Sequence, residues 1–270
     1  HVVSKYLEEL GYDVYVTSRS APNSIKSKAI DATDIKNLDI WLDSFCPDVV
    51  INCIGILQLQ SDQRPDVAVL LNTFLPHHLA FKYQSTRTKL IHLSTDCVFS
   101  GKKGNYVESD IPDGNTYYDR SKSLGEVINN KDLTFRMSII GPDCDSKGTG
   151  LFNWFMQQNG TIHGYTKALW NGITTIELAR AIHAAIEQDL TGLYHLVPSF
   201  IIDKYNLLLL FKDVFKKDNI DITPYDGFVV DKTLVNTRTD FDFKINDYRQ
   251  QVMDIKAWIQ AHPTFYPHYV

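Results

Sequence analysis

Short apolar runs alternate along this chain with longer segments of helical periodicity, and that alternation leaves few architectures open. Tyr12 to Ser18 reads as a strand, Asp34 to Phe45 as a helix, Asp48 to Ile56 as a strand, and Arg64 to Tyr83 as a long helix interrupted near Pro76. Lys89 to Leu93 is the next strand and Tyr118 to Asn130 the helix after it. Leu133 to Ile140 adds a strand before Gly141-Pro142 breaks the pattern. Ile176 to Gln188 has amphipathic spacing, Leu193 to Val197 reads as a short strand, and Asp203 to Phe215 and Ile245 to Ala261 read as helices. Such a βαβ series predicts an α/β fold: a Rossmann-type doubly wound parallel sheet with right-handed crossovers and helices on both faces. A chain of 270 residues, 44% hydrophobic and 22% charged, can bury that sheet and still build a smaller C-terminal α/β lobe.

The composition removes several function classes. A net charge of −5 with scattered lysines offers no basic field for a nucleic acid. Cys46, Cys53, Cys97 and Cys144 are far apart and form no C-x-x-C pair, which argues for free thiols in a reducing, cytoplasmic setting and against a metal site or disulfide scaffold. No apolar run is long enough to cross a bilayer. His77 and His78 are adjacent, so a helix points them apart, and they make a poor metal pair.

The chemistry concentrates between residues 90 and 126. The apolar strand ends in Ser94-Thr95-Asp96, and the carboxyl end of a parallel strand faces the crevice where open α/β sheets bind ligands. On the next helix, Tyr118 and Lys122 are four apart and share one face, where an ammonium would favour the tyrosinate form of the phenol. A Tyr-x-x-x-Lys arises by chance about once in a chain with 14 tyrosines, so its weight comes from context. It is the single such pair, and it follows a hydroxyl pair at a strand end. Together these residues propose a hydride-transfer site.

The residues Ser94-Thr95-Asp96-Cys97-Val98-Phe99-Ser100-Gly101, then Gly104-Asn105-Tyr106, then Tyr118-Asp119-Arg120-Ser121-Lys122-Ser123-Leu124-Gly125-Glu126 resemble the extended short-chain dehydrogenase/reductases. Within these they are most similar to the dTDP-4-dehydrorhamnose reductase group, closely over about residues 88 to 142 and more loosely elsewhere. The resemblance implies that Tyr118 is the proton donor, that Lys122 holds the nicotinamide ribose and tunes Tyr118, and that Thr95 hydrogen-bonds the substrate carbonyl. It implies residues 1–142 as a dinucleotide-binding domain and 143–270 mainly as a substrate lobe, with 171–198 returning to the core. It also places the protein in dTDP-rhamnose and polysaccharide biosynthesis, with a nucleotide-sugar substrate and a homodimer left open.

Cofactor positions follow from the same layout. Arg19, after the second family strand, would pair with a 2′-phosphate and favour NADPH, with NADH the alternative; Ser18 and Ser20 could add hydrogen bonds. The competing reading of Arg19 is a solvated loop charge. Asp31 and Ala32 match a short acidic family segment near the adenine, while Asp34 reads as a helix N-cap. Cys53, Ile54 and Gly55 resemble the segment passing under the cofactor, where a side chain at Gly55 would press on the ligand. Asn72 matches a family asparagine of relay or structural role, and Ser94 is placed beside the cofactor. Val2, Val3, Tyr6, Leu7 and Leu10 have helical spacing up to Gly11, so the chain opens inside a helix. In the family a strand and a G-x-x-G-x-x-G turn precede that helix, and the expectation is a native segment ahead of His1. The alternative is a variant that holds the cofactor differently.

For the substrate, the resemblance implies Asp96, Cys97, Val98, Ser138, Ile139 and Trp154. Arg136 matches the family's L-R. Ser138-Ile139-Ile140-Gly141 then replaces the usual W-V-Y-G, and Leu57 to Asp66 departs from the family run after the third family strand, which puts the identity of the sugar in question. Aromatics such as Phe155, Tyr165 and Trp170 could stack on a base or sugar, although such residues are more often core. Lys167, Lys232 and Arg238 are candidates for a diphosphate. The leading expectation is NADPH-dependent reduction of the 4-keto group of a nucleotide-linked deoxyhexose. The alternatives are a nucleotide-sugar epimerase of the same fold and a non-catalytic, dinucleotide-binding regulatory subunit.

Overall fold

The structure, a computed structural model, describes residues 1–20 and 24–269. Its central layer is a four-stranded parallel sheet of β3 (Val49–Asn52), β4 (Lys89–Leu93), β5 (Leu133–Arg136) and β9 (Gly192–His195), in that order. In-register pairs Ile51↔Ile91 and Leu93↔Phe135 align the strands so that their carboxyl ends reach one edge. A separate parallel pair is formed by β1 (Val16–Ser18) with β2 (Ser27–Ala29). The strand expected over Tyr12 to Ser18 is therefore shorter. The Tyr12 hydroxyl lies 2.9 Å from His183 Nδ1 and donates to Glu187 Oε1 at 2.9 Å, which ties the segment ahead of β1 to a helix.

Helices cover the sheet as the periodicity predicts. Asp34 caps α2 (Ile35–Asp43) by accepting from the Asn37 amide at 3.1 Å. The long helix becomes α4 (Pro65–Ala68), a π-helical stretch Val69–Phe74, and α5 (Leu75–Tyr83). Pro76 has no N–H to return to the Asn72 carbonyl, and the register widens just ahead of it. The helix expected to run to Asn130 ends early: α6 spans Tyr117–Leu124, and Gly125 follows as C-cap. A Cβ at Gly125 would stand 1.8 Å from the Asn72 carbonyl oxygen, so α6 can pack this close to the π-helical stretch only with glycine there.

Apart from the central layer lies a three-stranded sheet, β10 (Ile202–Asp203), β7 (Gly160–Trp170) and β11 (Ile220–Asp231), which the sequence reading did not separate. The helix α9 (Lys204–Phe215) packs on it, and α10 (Tyr248–Ala261) joins the same core through Val252, Ile255 and Ile259 around Phe211. Ile173 and, on the helix α8 (Thr175–Glu187), Ala181, Ile182 and Ala185 pack in one cluster with Ile91 of β4 and Phe135 of β5. Among the described residues no helix is long and apolar enough to cross a membrane.

Candidate functional site

The strand β4 is apolar because it is covered on both faces, and it delivers Ser94 and Thr95 to the sheet's carboxyl edge. The chain then turns through a single 3-10 turn, Asp96–Val98. Thr95 Oγ1 caps it, accepting from the Cys97 amide at 3.1 Å. The helix α6 starts with a capping box: Thr116 Oγ1 accepts the Asp119 amide at 3.1 Å and Asp119 Oδ2 accepts the Thr116 amide at 3.2 Å. That box sets the phase of the helix, so Tyr118 and Lys122 face the end of β4 one turn apart.

Burial pushes the Tyr118 phenol up, with Cys97 adding to the shift, while the nearby Thr95 hydroxyl pulls the other way. The expectation that Lys122 would favour a tyrosinate is not what this geometry shows: burial dominates, and the phenol stays protonated at neutral pH. Lys122 is 5% exposed, and its ammonium nitrogen donates to the Leu93 carbonyl at 2.6 Å. Burial lowers its pKa to about 8 against the opposing pull of Glu126 and Cys53. Asp96 is raised by burial, with Lys232 and Lys204 opposing.

The other expected residues divide into two sets. Ser18 and Arg19 are exposed at the end of β1, near enough to Asp31 that the guanidinium helps lower that carboxyl after its hydrogen bonds from Thr33. Ala32 is buried, whereas Cys53 and Gly55 are exposed at the end of β3, with Ile54 half-buried between them. Ser138 and Ile139 follow β5. Ser138 Oγ accepts from Trp170 Nε1 at 2.8 Å, and Ile139 and Trp154 are partly exposed.

Six positions are engaged by the protein itself. Val98 is fully buried among Phe99, Tyr106, Val197 and Leu234, so its side chain is core rather than substrate wall. Asn72 is fully buried and spent on structure: its amide accepts from the Ile56 N–H at 2.9 Å and donates to the Ile56 carbonyl and to Ser121 Oγ, both at 3.1 Å. Glycine at 55 answers to that same amide, since a Cβ would stand 3.0 Å from Asn72 Oδ1. The Ser94 hydroxyl donates inward to Glu126 Oε1 at 2.6 Å. Lys167 pairs with Asp226, and Arg238 pairs with Asp240 and with backbone carbonyls, so of the three diphosphate candidates only Lys232 has no ion-pair partner among the described residues.

Sequence reasoning missed the polar core beside the site. Arg136 is 2% exposed and makes a bidentate pair with Glu126, Nε to Oε1 at 2.8 Å and Nη2 to Oε2 at 2.6 Å. Its Nη1 donates to His195 Nε2 at 3.0 Å, so His195 carries its proton on Nδ1 and donates it to the Val235 carbonyl at 3.0 Å. It also missed Lys204, whose ammonium lies 4.5 Å over the Trp170 ring and has no ion-pair partner among the described residues. Burial lowers that amine to about 8, with Asp96 and Cys97 opposing. A lysine in the first turn of a helix, against the dipole, was the signal in the sequence.

A threonine at the end of a parallel strand, facing a tyrosine and a lysine one turn apart on the next helix, is the arrangement of the extended short-chain dehydrogenase/reductases. A family model described as the RmlD substrate binding domain matches residues 2–227, and the chain belongs to this family. A probable low-salt glycan biosynthesis reductase of Haloferax volcanii is 32% identical over 147 residues, 52% of this chain and 49% of that protein. The methionine adenosyltransferase 2 subunit beta of Xenopus tropicalis is 23% identical over 77% of this chain and 65% of its own length. The chain spans about half the length or less of several curated relatives it matches. Among solved structures, a Bacillus anthracis dTDP-4-dehydrorhamnose reductase in complex with NADP superposes with a TM-score of 0.79 at 18% identity, covering 95% of this chain and 94% of that one.

Proposed function

We propose that this protein is an NADPH-dependent reductase of the 4-keto group of a nucleotide-linked deoxyhexose, with NADH the alternative cofactor. The observation that carries this reading is the placement of Thr95 at the carboxyl end of β4 beside buried Tyr118, with Lys122 one turn further along α6 and bonded to the Leu93 carbonyl. The exposed shelf along the ends of β1, β2 and β3, with Arg19 near Asp31 and small residues at Cys53 and Gly55, fits a dinucleotide. When bound, the nicotinamide supplies the hydride.

Each residue then has a defined task. Thr95 orients the substrate carbonyl, and the protonated Tyr118 gives its proton to the alkoxide that develops there. Lys122 donates toward the ribose. Asp96 and Cys97, with Ser138, Ile139 and Trp154 across the cleft, bound the sugar, and Lys204 and Lys232 supply cationic groups for its phosphoryl oxygens. dTDP-rhamnose synthesis is the pathway this chemistry fits, and the four free thiols suit the cytoplasm.

A second reading is supported by the similarity to methionine adenosyltransferase 2 subunit beta, which extends over more of this chain than the similarity to the glycan biosynthesis reductase. In that reading the protein binds a dinucleotide and regulates a partner. NADPH absorbance with dTDP-4-dehydrorhamnose, run beside Tyr118→Phe, separates the two. Turnover that the substitution abolishes supports the reductase; NADPH binding without turnover on this or any related keto sugar overturns it in favour of the regulatory subunit.

A further inference from the structure

His92 interrupts the apolar run of β4 and is fully buried. A histidine in the middle of a covered strand must have both ring nitrogens satisfied. Its Nδ1 lies 3.2 Å from Asn52 Nδ2, and its Nε2 lies 3.4 Å from Lys122 Nζ.

The orientation of Asn52 decides which nitrogen carries the proton. Asn52 Oδ1 accepts the Ile54 N–H at 3.0 Å, so the amide nitrogen is the atom turned to the ring, and it can only donate. His92 Nδ1 is therefore the acceptor. Burial, with Lys122 and His77 adding to it, holds the imidazole well below its usual pKa, so the ring is neutral and its one proton sits on Nε2. That N–H points at the nitrogen of Lys122. A neutral amine can accept it through its lone pair, whereas an ammonium has only donors to present.

We infer that Asn52 and His92 are positioning residues for Lys122: a tautomer-locked imidazole whose Nε2–H favours the uncharged amine. Their bearing on catalysis rests on the reductase reading. Lys122 keeps one donor on the Leu93 carbonyl, so the amine is held from both sides. The charged and titratable groups facing the pair are Glu126 and Cys53, which favour the ammonium, and His77 on α5, which opposes charge on His92. The bidentate Arg136 takes up the Glu126 carboxylate, which weakens the strongest of the groups that would keep Lys122 charged.

Nitrogen-detected spectra of the histidine side chains test the first half of this inference without any turnover. The expected result at neutral pH is a neutral His92 in the Nε2–H form; an Nδ1–H tautomer or an imidazolium overturns it. Titration of 13C-labelled lysine, with Lys122→Arg assigning the signal, tests the second half. Relative to wild type, His92→Phe should raise the Lys122 midpoint by about one pH unit, a tenfold gain in proton affinity. Asn52→Leu, which frees the tautomer, should raise it in the same direction and serves if His92→Phe does not fold. An unchanged midpoint in a folded variant overturns the inference. A shifted midpoint in a protein that turns over no keto sugar keeps it and overturns the reductase reading instead.

Discussion

Tyr118 and Lys122 stand one turn apart on α6, and desolvation moves both toward their neutral forms. Tyr118→Phe removes only a hydroxyl and should leave the fold intact while lowering NADPH-dependent turnover by about 10²- to 10⁴-fold, measured as kcat with KM little changed. Lys122→Met should also abolish turnover, yet it should stabilise the protein. A buried amine held at about 8 instead of 10.5 costs on the order of 3 kcal/mol of folding free energy wherever it is charged. Losing the bond to Leu93 gives part of that back. The linkage has a definite sign. Between about pH 8 and 10.5 the unfolded chain binds the proton and the folded one does not, so wild-type stability should climb with pH across that window. Urea denaturation of Lys122→Met should lack that climb. A decrease in stability at neutral pH would instead mean that the ammonium is well paired.

At the scale of elements, α6 is placed by its two ends. Thr116→Ala removes half of the capping box and should cost about 1 kcal/mol, read as a shift in urea midpoint at constant slope. Gly125→Ala should cost about 3 kcal/mol, because the new methyl meets a backbone oxygen that the π-helical stretch holds in place. If that variant melts with the wild type, the close packing of α6 on the π-helical stretch is wrong. The sequence showed the start of α6 through its cap residues. It did not show where the helix ends, since Gly125 is needed for a contact with a residue some fifty positions earlier. The strands β7 and β11 were hidden for a related reason. They pair residues such as Ile162 and Ile222 across the chain, and Gly160, Gly164, Pro224 and Gly227 dilute any local strand signal.

Across the whole molecule, the Glu126, Arg136 and His195 network joins β4, β5 and β9 to the chain returning through Val235. Glu126→Gln or Arg136→Met should each cost about 3 to 5 kcal/mol by leaving a buried charge or hydrogen-bonding group without its partner. The same network sets an acid limit. His195 is held at about 4, below its unfolded 6.5, by burial and by the Arg136 guanidinium, although Glu108 pulls it upward. Its contribution is fully present above 6.5 and is lost as pH falls toward 4, by roughly 3 kcal/mol in all. His195→Gln should flatten the fall in stability across that range in pH-dependent denaturation.

The sequence by itself determined the α/β class, the succession of strands and helices along the chain and the spacing that sets Thr95 at a strand end with Tyr118 and Lys122 on one face of the next helix. Each depends on local spacing: apolar periodicity, cap residues and a four-residue step on one helix face. Only the tertiary structure decided that Asn72 and Ser94 face inward, that Val98 is core, that Lys204 lies near Asp96 and that His92 lies against Lys122. Those outcomes depend on which groups are left in a shared dry interior, where each buried donor must find an acceptor, and the partners stand dozens of residues apart in the chain.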